Sequence, residues 1–128
     1  MINSLKGGCA CGAIRFEISG NPEFSIQCHC RKCQRATGGG HSSIIAFASE
    51  GVTFTGEIKQ FPQNSDIGSI TYSGFCSNCG SPLTSKTERF PDRLYIHAAT
   101  FDDPSKFKAN MVVFENEAQP WDKPATIE

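Results

Sequence analysis

Apolar residues alternate with charged ones in Ile14-Arg15-Phe16-Glu17-Ile18, which puts Ile14, Phe16 and Ile18 on one face of an extended strand. Gly20-Asn21-Pro22 ends the pattern. Ile44-Ile45-Ala46-Phe47-Ala48 is apolar throughout and predicts a strand buried on both faces. Apolar runs at 52–54 and 58–61 flank Gly56 and predict a hairpin. Further strands are expected over 69–72, 93–98 and 111–114, with Asp103-Pro104 opening a turn between the last two. Helical character is confined to 31–37, two turns at most, and Gly38-Gly39-Gly40 stops it. The pattern predicts an all-β class with one or two short helical turns.

Composition narrows this picture. The 128 residues are one domain's worth of chain, taken as a single domain over 1–128, with no repeat and no linker. A domain of that size buries roughly two-thirds of its unfolded surface. Ten Phe against two Met make the expected core aromatic. A net charge of −1 argues against a nucleic-acid or membrane surface. No apolar run approaches the roughly 20 residues of a membrane span. Residues 1–8 carry one Lys and no apolar stretch, so no signal peptide is expected and the cytoplasm is the expected location.

Seven cysteines change the picture most: Cys9, Cys11, Cys28, Cys30, Cys33, Cys76 and Cys79. An odd number in short clusters, in a reducing compartment, fits metal chelation better than a disulfide framework. Cys9-Ala10-Cys11-Gly12 and Cys76-Ser77-Asn78-Cys79-Gly80 are alike: each is a tight two-sulfur turn followed by Gly, which supplies a positive φ. Together they would make a closed, tetrahedral structural zinc site. Cys28-His29-Cys30-Arg31-Lys32-Cys33 gathers three thiols within six residues. One helical turn would bring Cys30 and Cys33 to the same side. Three local ligands leave a fourth position open, as in catalytic zinc sites. Other pairings of the seven remain open, as does His29 as a fourth ligand, although neighbours on an extended chain point to opposite sides.

The run Cys-x-Cys-Gly, then Cys-His-Cys-x-x-Cys-Gln-x-x-Thr-Gly, then Cys-x-x-Cys-Gly-Ser-Pro-Leu resembles the glutathione-dependent formaldehyde-activating family, the type of domain also found in centromere protein V. The matching residues are Cys9, Cys11 and Gly12; Cys28, His29, Cys30, Cys33, Gln34, Thr37 and Gly38; and Cys76, Cys79, Gly80, Ser81, Pro82 and Leu83. Thr100-Phe101-Asp102-Asp103-Pro104 and Trp121 after Pro120 also fit, so the resemblance covers almost the whole chain. It implies a β-tent fold of folded-over antiparallel sheets. It also implies two Zn²⁺ per chain, one structural on Cys9, Cys11, Cys76 and Cys79, the other on Cys28, Cys30 and Cys33 and more easily lost. The implied activity is that of a carbon–sulfur lyase joining glutathione to formaldehyde as S-(hydroxymethyl)glutathione. The implied partners are a glutathione-like thiol and a small aldehyde.

Around the triple cluster, Arg31, Lys32 and Arg35 are candidates for balancing thiolate charge or pairing with substrate carboxylates. The competing reading is a solvated helix face. His41 stands in Gly39-Gly40-His41-Ser42-Ser43, where small and apolar residues are expected, and is a candidate ligand or acid–base group. His97 reads as a hydrogen-bonded structural histidine, and Trp121 as a core or rim anchor. The alternative function is a non-catalytic zinc β-tent module that binds a thiol ligand or a protein partner. A Cys30/Cys33 redox pair is disfavoured because no βαβ context surrounds it.

Overall fold

Ten strands and one helix are present in the computed structural model, which describes residues 4–65 and 68–127. Residues 1–3 of the segment read for a leader lie outside the described residues. In chain order the elements are β1 (Ser4–Gly8), β2 (Arg15–Ser19), β3 (Phe24–Cys28), α1 (Arg31–Thr37), β4 (Ser42–Ala48), β5 (Val52–Thr55), β6 (Ile58–Asn64), β7 (Ile70–Cys76), β8 (Pro82–Thr87), β9 (Arg93–His97) and β10 (Met111–Val113). The class is all-β, as the pattern predicts. The helix spans the expected residues and ends at Gly38, whose φ of 75° only glycine adopts freely. Among the described residues no helix is long and apolar enough to cross a membrane.

Two sheets form. A small one has the order β1-β2-β5, and a large one the order β10-β3-β4-β9-β8-β7-β6. All pairings are antiparallel except β10 on β3, which is parallel. The predicted hairpin across Gly56 is not formed. β5 pairs with β2, β6 pairs with β7, and the chain passes from one sheet to the other at Gly56. Strand periodicity tells which residues are extended and is silent on their partner. Gly56 has a φ of 91°, and a Cβ there would stand 2.3 Å from the Ala13 carbonyl oxygen, so the crossing point is packed against the start of β2.

The alternation in β2 does what it predicts. Phe16 and Ile18 are buried and face Phe47, Leu83, Leu94 and Ile96 of the large sheet, with Ile14 and Phe101 beside them. Phe16 meets Phe101 edge-on at 5.2 Å between centroids. A second cluster covers the far face of the large sheet, where Ile26, Cys28 and Ile44 pack with Phe24, Tyr95, Val113, Cys30 and Cys33. β4 therefore has a cluster on each side, Phe47 in one and Ile44 in the other, as its unbroken apolar run predicts. That period-2 split puts Cys28, on the same face as Ile26, outside the main core.

β1 lies so close to the segment after β9 that Gly7 bridges to Phe101. A Cβ on Gly7 would sit 2.3 Å from the Thr100 carbonyl oxygen and 2.8 Å from the Phe101 Cα. These are backbone atoms and cannot rotate away. Gly7→Ala is expected to cost on the order of 1–3 kcal/mol by overpacking. A urea unfolding midpoint that matches wild type would show that the β1–Phe101 contact does not constrain the fold.

Candidate functional site

The two Gly-terminated turns meet at one end of the small sheet. Gly12 and Gly80 have φ of 81° and 79°, the conformation each turn needs to fold its two sulfurs to one side. Cys9 Sγ is 3.6 Å from Cys11 Sγ, and Cys11 Sγ is 3.8 Å from Cys76 Sγ. The edge of a tetrahedron with metal–sulfur bonds of about 2.3 Å is about 3.8 Å, whereas a disulfide needs about 2.05 Å. All four cysteines are free. The Ile14 N–H donates to Cys9 Sγ at 3.2 Å, and the Asn78 and Cys79 N–H groups donate to Cys76 Sγ at 3.3 and 3.4 Å. The Asn78 side-chain amide donates to Cys11 Sγ at 3.2 Å. The Ser81 hydroxyl and N–H hold the Cys79 thiol down at about 5. These donors all favour thiolate, so the set could hold a metal ion with four sulfurs and leave it closed.

The second set is built by the end of β3 and the start of α1. Cys28 is the last, buried residue of β3. Cys30 caps α1, its sulfur accepting from the Cys33 N–H at 3.3 Å, which brings Cys33 one turn above it. The three sulfurs lie within ligand distance of one another. Sulfurs so close cannot all ionise without a cation. Neighbouring thiols of Cys28 and Cys33 pull Cys30 down to about 2. Cys28 is pushed up by Cys30 and Cys33 and by burial. The Cys28 thiol favours the Cys33 thiolate, but Cys30 and burial outweigh it and Cys33 rises to about 11. A divalent ion would relieve this conflict, so the donor chemistry fits a metal with three sulfurs.

Gln34, the buried residue of α1, explains the glutamine of the motif. Its amide donates to the His29 carbonyl at 2.7 Å and to the Glu117 carbonyl at 3.0 Å, fixing the cysteine turn against the C-terminal segment. Glu117 in turn accepts the Arg31 N–H at 3.0 Å.

Cys30 and Cys33 open into a cavity of about 100 Å³ whose walls include Lys32, Ser42, Thr84 and His97. A second cavity of about 280 Å³ shares Lys32 and His97 with it and adds Arg35 and Phe61. Arg31 lines a third, of about 410 Å³, with Cys30, Lys32 and Phe114. Lys32 is thus common to all three, with its ammonium bonded to the Asn64 carbonyl. The Arg31 guanidinium donates to Gln34 Oε1. His41 is placed elsewhere: Nδ1 donates to Asp122 Oδ2 at 2.5 Å, and the ring lies 4.9 Å from that of His29. His29 points away from the three sulfurs, as strand alternation requires. Trp121 is 71% exposed and anchors no core.

Two residues were missed as site residues. His97 lines the cavity instead of bonding to a structural partner, because its place at the end of β9 puts it on the Tyr95 face, beside Ile44 and Ser42. Asp122 reaches His29 and His41 from 81 residues beyond His41, a proximity that no local motif signals.

The sequence profile of the glutathione-dependent formaldehyde-activating enzyme family matches residues 4–117, which is most of the chain. This chain belongs to that family. The family member is 30% identical over 103 residues to a Halomonas elongata protein that carries the provisional name glutathione-dependent formaldehyde-activating enzyme. The match takes in 77% of this chain and spans 66% of the length of the relative. A crystal structure of a Rhodobacter sphaeroides protein shares the fold with a TM-score of 0.65 at 16% identity, over 84% of this chain and 99% of that one.

Burial pushes His97 down from the usual 6.5 to about 4, so it is neutral at neutral pH. The unfolded chain takes up this proton below about pH 6.5 and the folded one only near 4. The stabilisation is therefore complete above about 6.5 and is lost as pH falls to about 4, by roughly 3 kcal/mol. His97→Gln should remove that part of the pH dependence of urea unfolding. Equal slopes in both proteins between pH 6.5 and 4 would show that His97 is not held neutral by burial.

Proposed function

We propose that this protein is a zinc-dependent carbon–sulfur lyase acting on a glutathione-like thiol and a small aldehyde. The observation that carries the reading is the three-sulfur cluster of Cys28, Cys30 and Cys33 at the wall of a cavity that also presents a neutral His97. Family membership over residues 4–117 supports the thiol and aldehyde classes. Cys28, Cys30 and Cys33 would hold the zinc, which would supply Lewis-acid chemistry that favours the thiolate form of a substrate thiol.

The chain's own residues account for the rest. Cys28 and Cys33 flank Cys30 and hold the cluster in register, and Gln34 fixes the turn that carries it. Lys32 and Arg35 line the larger cavity and supply positive charge for the carboxylates of a peptide thiol. In the joining direction a carbon–sulfur bond forms at the carbonyl carbon, and the proton of the thiol ends on the carbonyl oxygen as a hydroxyl. His97, facing the cavity, relays that proton. We assign this role to His97 because His41 is held by Asp122 away from the cavity walls. Cys9, Cys11, Cys76 and Cys79 would hold a second zinc, whose binding energy would add to folding. Reduced thiols and a glutathione substrate agree with a cytoplasmic location.

The test is zinc content and rate together. Purified protein should hold about one closed and about one open thiolate-bound zinc, and Cys30→Ser should lose the open one. Glutathione should perturb the wild-type metal site and not that of the variant. Formation of the hydroxymethyl thioether should exceed the spontaneous reaction in wild type and fall to that background in Cys30→Ser. Glutathione binding to the metal with no rate above background would overturn the enzyme reading in favour of a thiol-binding module.

A further inference from the structure

A third cluster of metal-ligating side chains lies outside both cysteine sets. The β3–β4 register pairs Gln27 with Ser43 and Cys28 with Ser42. Continued one step, it sets His29 opposite His41 on the side of the strands away from the three sulfurs. The two imidazoles are 4.9 Å apart with their planes tilted by 39°. Asp122 enters from the C-terminal segment, with Oδ2 at 2.5 Å from His41 Nδ1 and 3.5 Å from His29 Nδ1. It can do so because residue 40 is glycine: a Cβ there would lie 2.3 Å from the carboxylate carbon of Asp122.

The protonation pattern exposes an unmet need. The Ala125 N–H donates to Gln27 Oε1 at 2.9 Å, which identifies that atom as the amide oxygen. The same oxygen lies 2.9 Å from His29 Nε2, so Nε2 is the donor and carries the proton. That leaves the other ring nitrogen, Nδ1, as the one available to a ligand. His29 is 0% exposed, and its Nδ1 has no hydrogen-bond partner among the described residues. What it faces at 3.5 Å is another acceptor, the Asp122 carboxylate. A buried ring nitrogen opposite a carboxylate needs a positive charge between them, either a proton or a metal ion.

We propose that His29, His41 and Asp122 form a binding site for a divalent transition-metal ion, distinct from the two cysteine sites. The donor set of two imidazoles and one carboxylate suits zinc, cobalt or nickel. The three ligand atoms lie within 4.8 Å of one another. Two ligands of a tetrahedral ion with bonds of about 2.0 Å stand about 3.3 Å apart, close to the His29–Asp122 separation. The shorter His41–Asp122 contact is a hydrogen bond through the Nδ1 proton. Metal binding through Nδ1 moves that proton by way of solvent to Nε2, keeping the ring a neutral ligand, and parts the two atoms by under about 1 Å, leaving three ligands and an open position for water. Gln27 plays the supporting part usual for a ligating histidine, accepting from its second nitrogen. The C-terminal segment supplies both a ligand, Asp122, and the clamp on that support, the Ala125 N–H.

The experiment is equilibrium dialysis of the full chain against Zn²⁺, followed by metal analysis and zinc X-ray absorption. It compares wild type with His41→Gln and Asp122→Asn, and circular dichroism reports whether each variant is folded. Wild type is expected to bind about one ion more than either variant. Its spectrum should carry nitrogen or oxygen scatterers near 2.0 Å in addition to sulfur near 2.3 Å. Both variants should keep the sulfur shell and lose the imidazole one. Should Asp122→Asn unfold, His41→Gln decides, because His41 is partly exposed and its replacement leaves the Gly40–Asp122 packing in place. Equal metal content and equal imidazole scattering in wild type and folded His41→Gln would overturn the proposal and leave a histidine–aspartate hydrogen bond only.

Discussion

Seven sulfurs held as two clusters impose a charge problem that the rest of the molecule is arranged around. At the four-cysteine end, four donors point at sulfur: the backbone N–H groups of Ile14, Asn78 and Cys79, and the Asn78 amide. That turn geometry ties residues 9–11 to residues 76–79 and so pins the start of β2 to the end of β7. Small and large sheets share one core of Phe16, Ile18, Phe47, Leu83 and Ile96, and the sulfur pin closes one end of it. A domain of 128 residues has a modest core, and a metal that binds only the folded chain adds its binding energy to folding.

The three-cysteine cluster obeys the same rule with the opposite consequence. It lies on the far face of the large sheet, against Ile26 and Ile44, where β3 runs into α1. Here the backbone N–H groups of Lys32 and Cys33 both favour the Cys30 thiolate, and the mutual repulsion of the other sulfurs is relieved by protonation or by a cation. Cys30 is driven towards thiolate while Cys28 is driven towards thiol. A closed cluster stabilises a fold, whereas an under-coordinated one beside a cavity is a place where a foreign thiol can enter. Lys32, His97 and Ser42 around that opening are joined by Thr71, Ser73, Thr84 and Ser85, so its walls are largely polar.

Legibility in the sequence followed the range of the interaction. The cysteine turns, the helix over 31–37 and its glycine stop are local, and their spacing alone carries the geometry. Alternation identified β2 and the unbroken run identified β4, because burial on one or two faces leaves its mark within five residues. The error at Gly56 came from treating neighbouring strands as partners, when the chain there changes sheets. β8 was invisible because Pro82-Leu83-Thr84-Ser85-Lys86-Thr87 has little apolar content. It is a strand because β7 and β9 flank it.

The histidines show where local reading stops and register takes over. Adjacent residues on a strand face opposite ways, so the His29 between Cys28 and Cys30 had to leave the sulfur side; that much is readable from the motif. What it would meet on the other side depends on a register sum fixed by the whole β3–β4 pairing, and on a C-terminal segment that returns over Gly40. The same alternation works in reverse on β9, where it turns His97 towards the cavity and leaves Leu94 and Ile96 in the core. One parity rule thus sends two histidines to different surroundings: His97 to the cavity beside Cys30 and Cys33, and His29 to the other face, next to His41 and Asp122. The sheet between them keeps the two apart, which lets a small domain hold unlike polar sites on opposite faces of the same strands.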